Sequence, residues 1–68
     1  MIDAVRIGAV LKDLRGERSQ QTIADLLGVS AVSVSKWERG ESMPTDALKI
    51  AIAQLYGKTV QDIFFTAN

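Results

Sequence analysis

The sequence predicts an all-α domain of five short helices. Apolar residues recur at steps of three and four along most of the chain, and these stretches tend to follow a Ser or Thr placed to cap a helix and to end at a Gly. No stretch alternates with the period of a strand over more than a few residues. With 68 residues there is room for one domain, residues 1–68, and its core lies near the lower limit for independent folding. Hydrophobic residues at 47% and charged residues at 24%, with little Gly or Pro, make up a packed domain and not a disordered tail.

In the first helix, roughly residues 3–15, Val5, Ile7, Val10, Leu11 and Leu14 form the inward stripe, and Gly16 stops it. Ser19 caps the second, whose Ile23, Ala24, Leu26 and Leu27 run to Gly28, the residue best able to take a left-handed conformation. After Val29, Ser30 caps a third stretch with Val34 and Trp37 three apart, closed by Gly40. Val32, Ser33, Val34 and Ser35 alternate, but the caps and helix formers around them make this helix. Residues 41–45 contain Pro44 and cannot be helix interior, while Thr45 and Asp46 supply a cap and a first-turn acid for the fourth helix. Leu48, Ile52, Leu55 and Tyr56 are its inward stripe, and Gly57 ends it. Thr59 caps a last short helix whose buried side is Val60, Ile63 and Phe64.

The composition excludes several kinds of chemistry. With no Cys and no His there is no disulfide framework, thiolate site, imidazole ligand or imidazole base, so no metal, no cofactor and no catalytic triad are expected. A Ser33–Lys36 pair is the nearest thing to a nucleophile, and it would lie on an exposed helix where nothing excludes water, so an enzyme is not expected. No apolar run approaches the roughly 20 residues of a membrane span, and residues 1–3 lack a signal-peptide pattern, which makes a cytoplasmic protein without a membrane partner the expectation. Lys and Arg, 8 together, balance 8 Asp and Glu, so a polyanionic partner must be argued from where the charges sit.

The spacing between Gln20 and Gly40 asks for more than generic helix packing. Two helices joined by a short turn at roughly 90–120° touch near that turn, so the first needs a small side chain at the contact and the turn needs positive φ. Ala24 and Gly28 meet both needs. With Val34 and Trp37 inward, Ala31, Val32, Ser35, Lys36 and Arg39 are expected outward, and two apolar residues on such a face need a partner or another reason.

These residues resemble the Xre family of helix-turn-helix regulators, which includes phage repressors and Cro proteins. The matching string is Ser19-Gln20-Gln21-Thr22-Ile23-Ala24, then Leu27-Gly28-Val29-Ser30, then Val34, Trp37-Glu38-Arg39-Gly40 and Pro44. Tyr56-Gly57-Lys58-Thr59-Val60 and Ile63-Phe64 are similar to the family's closing turn and fifth helix, so the resemblance covers nearly the whole chain. Leu14-Arg15-Gly16 and the ending Thr59-Val60 with Ile63-Phe64-Phe65 resemble short-linked regulators of bacterial and prophage genes. The link from Arg15 to Gln20 is about two residues shorter than in many members, which leaves open whether Arg15 and Glu38 form the buried pair those members make.

The resemblance implies a compact five-helix, lambda-repressor-like DNA-binding domain with the helix-turn-helix at helices 2 and 3. It implies sequence-specific binding of double-stranded DNA as a transcriptional regulator, expected to be a repressor, with the third helix in the major groove. Ser30, Ala31, Val32, Ser33 and Lys36 would then face bases, with A·T pairs under Ala31 and Val32 because thymine methyls are what small apolar side chains can read there. Ser19, Gln20, Arg39 and Ser42 would face the sugar–phosphate backbone. Balanced charge favours a homodimer on a two-fold symmetric operator. Ile63, Phe64 and Phe65 cannot all enter one core, so Val60, Phe64 and Phe65 are the candidate dimer interface, with Phe65 and part of Val60 outermost. The rival reading is a protein-binding module, an antirepressor or antitoxin-like component whose regulatory protein partner covers Ala31, Val32 and the neighbours of Trp37.

Overall fold

Every helix of this protein starts on a side chain that captures a backbone N–H. The computed structural model describes residues 3–65, which form α1 (Ala4–Arg15), α2 (Gln20–Leu27), α3 (Ala31–Glu38), α4 (Asp46–Tyr56) and α5 (Val60–Phe64), with no strand among the described residues. Asp3 accepts from the N–H groups of Val5 and Arg6, Ser19 from Thr22, Ser30 from Ser33 and Thr45 from Leu48. Thr59 and Asp62 cap α5 reciprocally, each side chain accepting from the other's backbone N–H. Such caps are worth about 1 kcal/mol each, a large contribution for helices this short.

Between α2 and α3, Gly28 adopts φ 72°, and Val29 N–H reaches back to the Ala24 carbonyl at 3.0 Å. A left-handed residue costs little only as glycine, and this one reverses the chain within three residues so that α3 returns across α2. The core that results draws on every helix: Ile7 and Leu11, Ile23 and Ala24, Val34 and Trp37, Ile52 and Ala53, Ile63 and Phe64. α3 is wedged between α1 and α2, while α4 and α5 close the other side.

The closest approach is at Gly8, which is buried. A Cβ there would lie 2.4 Å from the Glu38 carbonyl oxygen and 2.6 Å from that of Trp37, so α1 meets the C-terminal end of α3 backbone to backbone. That contact rotates α1 relative to the expected stripe. Ile7 and Leu11 point in and Leu14 packs at the edge, but Val5 is 67% exposed. Leu26 of α2 likewise faces outward.

Two expectations for the surface change. Ala31 is half-buried and packs against the core, because it lies one turn before Val34 on the same side of α3. Phe64, expected in a dimer interface, is 1% exposed and belongs to the core; the short α5 turns Ile63 and Phe64 inward and leaves Phe65 on the surface, with Val60 half-buried.

Candidate functional site

The outward face of α3 carries Val32, 62% exposed, and Lys36 one turn later, also exposed. Ser30 Oγ accepts from Ser33 N–H at 3.2 Å and shares a hydrogen with Ser33 Oγ at 3.1 Å, so these hydroxyls first serve the cap. The N–H groups of Ala31 and Val32 belong to the first turn, where a helix has no internal acceptor for them. At this end of α3, methyl groups, two hydroxyls and unpaired donors therefore lie together. Ser19 is occupied in a similar way, its Oγ accepting from Thr22 N–H at 3.0 Å and sharing a hydrogen with Thr22 Oγ1 at 2.9 Å.

The other end of α3 is ionic. Arg15 Nε and Nη2 donate to the two oxygens of Glu38 at 2.7 and 2.9 Å, and Arg15 Nη1 donates to the Arg18 carbonyl at 2.7 Å. The pair left open by the short link therefore forms. The link turns back so that one of its own carbonyls satisfies the third face of the guanidinium. Gln20 Nε2 adds a third hydrogen bond to this carboxylate, at 3.0 Å to Oε1. Gln20, expected to face the DNA backbone, thus has its amide engaged with Glu38, beside Arg39 in sequence. Sequence reasoning had no part for Glu38 beyond the open pair; an acid beside a core Trp, with an Arg closing another helix, is the signal that would have found it.

The Glu38 side chain is 5% exposed. Burial pushes its pKa up, but the hydrogen bonds from Arg15 and Gln20 and the charges of Arg15 and Lys12 outweigh burial and hold it below the usual carboxylate range. A carboxyl whose pKa is lowered by folding contributes stability above its unfolded value, about 4.3, and loses it as pH falls through the folded value. Thermal unfolding followed from pH 7 downward should show a midpoint that drops below about pH 4.3. In Glu38→Gln the part of this drop owed to position 38 disappears, and superimposable profiles for the two proteins would contradict this origin.

Arg39 is also paired. Its Nε and Nη2 donate to Glu41 at 2.6 and 3.3 Å, and Nη1 donates to Ser35 Oγ. The hydrogen bond from Arg39, joined by the charges of Arg39 and Lys36, lowers the pKa of Glu41 against a smaller effect of desolvation. Both partners are about half exposed. Exposed pairs exchange readily, so Arg39 remains open to another anion at the cost of releasing Glu41. Ser42 follows on the exposed turn. Of the basic residues near α2 and α3, Arg15 and Arg39 are each answered by a carboxylate. Lys36 and Arg18 have no carboxylate partner among the described residues, and Arg18 stacks over the Tyr56 ring at 5.5 Å.

The described residues hold no group of three or more acidic side chains placed to bind a metal ion, and no helix among them is long and apolar enough to cross a membrane. A sequence model described as helix-turn-helix matches residues 11–63, which takes in α2, the turn and α3 entirely and reaches into α1 and α5. No curated protein and no solved structure matches the chain.

Proposed function

Since this chain belongs to the helix-turn-helix family of Xre- and Cro-type DNA-binding transcription regulators, we propose that it is a repressor that reads a specific operator with the N-terminal half of α3 in the major groove. The observation that carries this reading is the 62% exposure of Val32 at the start of α3, with Lys36 one turn along. An apolar side chain on the open face of a polar helix has one feature to read in the major groove, the thymine methyl. Lys36 reaches a guanine or a phosphate. Ser33 and the cap residue Ser30 can offer hydroxyls to base edges, and Ala31, half-buried, contributes chiefly its N–H. Ser19, Gln20, Arg39 and Ser42 hold the sugar–phosphate backbone, Ser19 as the cap of α2.

Zero net charge and the pairing of Arg15 and Arg39 keep the attraction of one domain for DNA low. Two copies on a two-fold symmetric site make up the affinity, joined through Phe65, 45% exposed, and the edge of Val60. On this reading the protein works in the cytoplasm, where it would reach its operator. Selection of bound sequences from random duplex DNA, followed by titration at several salt concentrations, tests the reading. A palindromic site rich in A·T at the Val32 position, with affinity falling steeply in salt, supports it. No enrichment, together with salt-insensitive capture of a protein, would favour the antirepressor or antitoxin-like module instead.

Arg39→Ala should weaken binding about equally on specific and random duplexes and lower the salt slope by about one per half-site. Relaxed base preference at a single position would instead assign Arg39 to base reading.

For Val32 the test is a cycle between protein and DNA. Replacing the contacted thymines by uracil removes methyl groups and leaves pairing and phosphates in place. Each lost methyl should cost on the order of 0.8 kcal/mol, by analogy with a buried CH₂, within the roughly 1–3 kcal/mol available at one base pair. Val32→Ala should cost a similar amount on the thymine site and little more on the uracil site, and additive losses would remove Val32 from base reading.

A further inference from the structure

The hydrogen bonds around Glu38 join three helices at one carboxylate. Arg15 ends α1, Gln20 begins α2 and Glu38 ends α3, and two of the three bonds to the carboxylate, from Arg15 Nη2 and Gln20 Nε2, converge on the same oxygen. A carboxylate only accepts, so the Gln20 amide has to present its NH₂ group and not its oxygen. A primary amide is planar, with its two N–H bonds about 120° apart. Engaging one of them with Glu38 therefore fixes the direction of the other and points it away from the carboxylate. Gln20 is only partly buried, and Glu38 Oε1 is its one side-chain hydrogen-bond partner among the described residues.

We infer that Glu38 is a positioning residue for DNA binding: it holds one N–H of the Gln20 amide so that the other is aimed at a backbone phosphate, and Arg15 holds Glu38. This rests on the proposed DNA reading of the site. Arg15 has a second part in the arrangement. By pairing both carboxylate oxygens it offsets the negative charge that would otherwise oppose a phosphate nearby. The ion pair is then a fixed mount that sets the angle between the start of α2 and the end of α3, and Gln20 transmits that geometry to the phosphate.

The test is a cycle between Gln20→Ala and the joint variant Arg15→Met/Glu38→Met. The joint variant leaves no buried charge unpaired and does not alter net charge, and buried ion pairs are often replaced by apolar residues without loss of stability. Each should weaken operator binding about tenfold, the scale of one hydrogen bond to a charged group, and the triple variant should lose no more than either alone. In the free protein the Gln20 side-chain NH₂ should give two well-separated proton resonances that move toward those of a solvated glutamine in the joint variant, a change that helix packing alone would not produce. If the joint variant melts below the assay temperature, Arg15→Leu/Glu38→Leu, which likewise removes both charges and every acceptor for Gln20, carries the same cycle. Losses that multiply, or NH₂ resonances unmoved by loss of the pair, overturn the inference while DNA binding stands. A wild-type chain that binds no duplex overturns the DNA reading and this inference with it.

Discussion

Gly8→Ala should destabilise the domain strongly and lower its urea midpoint, although alanine is the better helix former by about 1 kcal/mol. The added methyl would meet the Glu38 carbonyl oxygen at 2.4 Å, the Trp37 carbonyl oxygen at 2.6 Å and the Glu38 carbonyl carbon at 2.8 Å. All three are backbone atoms, so no rotamer change relieves the contact, and α1 has to move off α3. That movement loosens Ile7, Leu11 and Trp37 together and strains the Arg15–Glu38 pair. Overpacking commonly costs about 1–3 kcal/mol, and more where backbones separate, against a total stability of roughly 3–10 kcal/mol for a chain of this length. Urea unfolding followed by circular dichroism decides the matter. A variant more stable than the parent would mean that helix propensity governs position 8 and that α1 and α3 do not meet backbone to backbone there.

Phe64→Ala and Phe65→Ala, neighbours in sequence, should fail in different ways. Phe64 is among the largest fully buried side chains, so its truncation should cost about 3–5 kcal/mol and lower the melting midpoint sharply. Phe65 follows α5 on the surface and shares with Phe64 a Lys49 ammonium 5.7 Å from each ring centre. Its truncation should barely change the melting midpoint of dilute protein but should weaken self-association. Melting at low concentration and sedimentation at high concentration separate the two effects. A stable Phe64→Ala that no longer dimerises would return Phe64 to the interface and contradict its burial.

The helix positions were legible because the signals are local. Ser19, Ser30, Thr45 and Thr59 cap helices as their side-chain chemistry predicts, and Gly28 and Gly57 close α2 and α4 in the left-handed conformation. What the sequence concealed depends on which side of a helix meets a neighbour. Periodicity picks out Val5 as readily as Ile7, while α1 meets α3 backbone to backbone at Gly8 and Val5 itself lies against Gly40, close approaches at glycines that carry no apolar signal. Ala31, predicted outward, packs inward because it lies one turn before Val34, and a side chain this short carries no pattern of its own. Of the candidate site, the N-terminal half of α3 was readable from the placement of Val34 and Trp37, which leaves Val32 and Lys36 opposite them. The pairing of Gln20 with Glu38 and of Arg39 with Glu41 was hidden, because flexible polar side chains choose partners only after the helices are docked.

α2 and α3 are eight residues long and α5 is five, well below the roughly 12–15 at which an isolated helix becomes even marginally stable in water. These helices exist because they are packed, so the surface they present is lost whenever the chain opens. A duplex bound at about 100 times its dissociation constant would add about 2.7 kcal/mol to the folded state, a large fraction of what a chain this small has. Proteases that cut opened chains sample the unfolded population, which this gain reduces roughly 100-fold. If DNA is bound as proposed, bound molecules should resist proteolysis relative to unbound ones, which limited proteolysis with and without duplex would show.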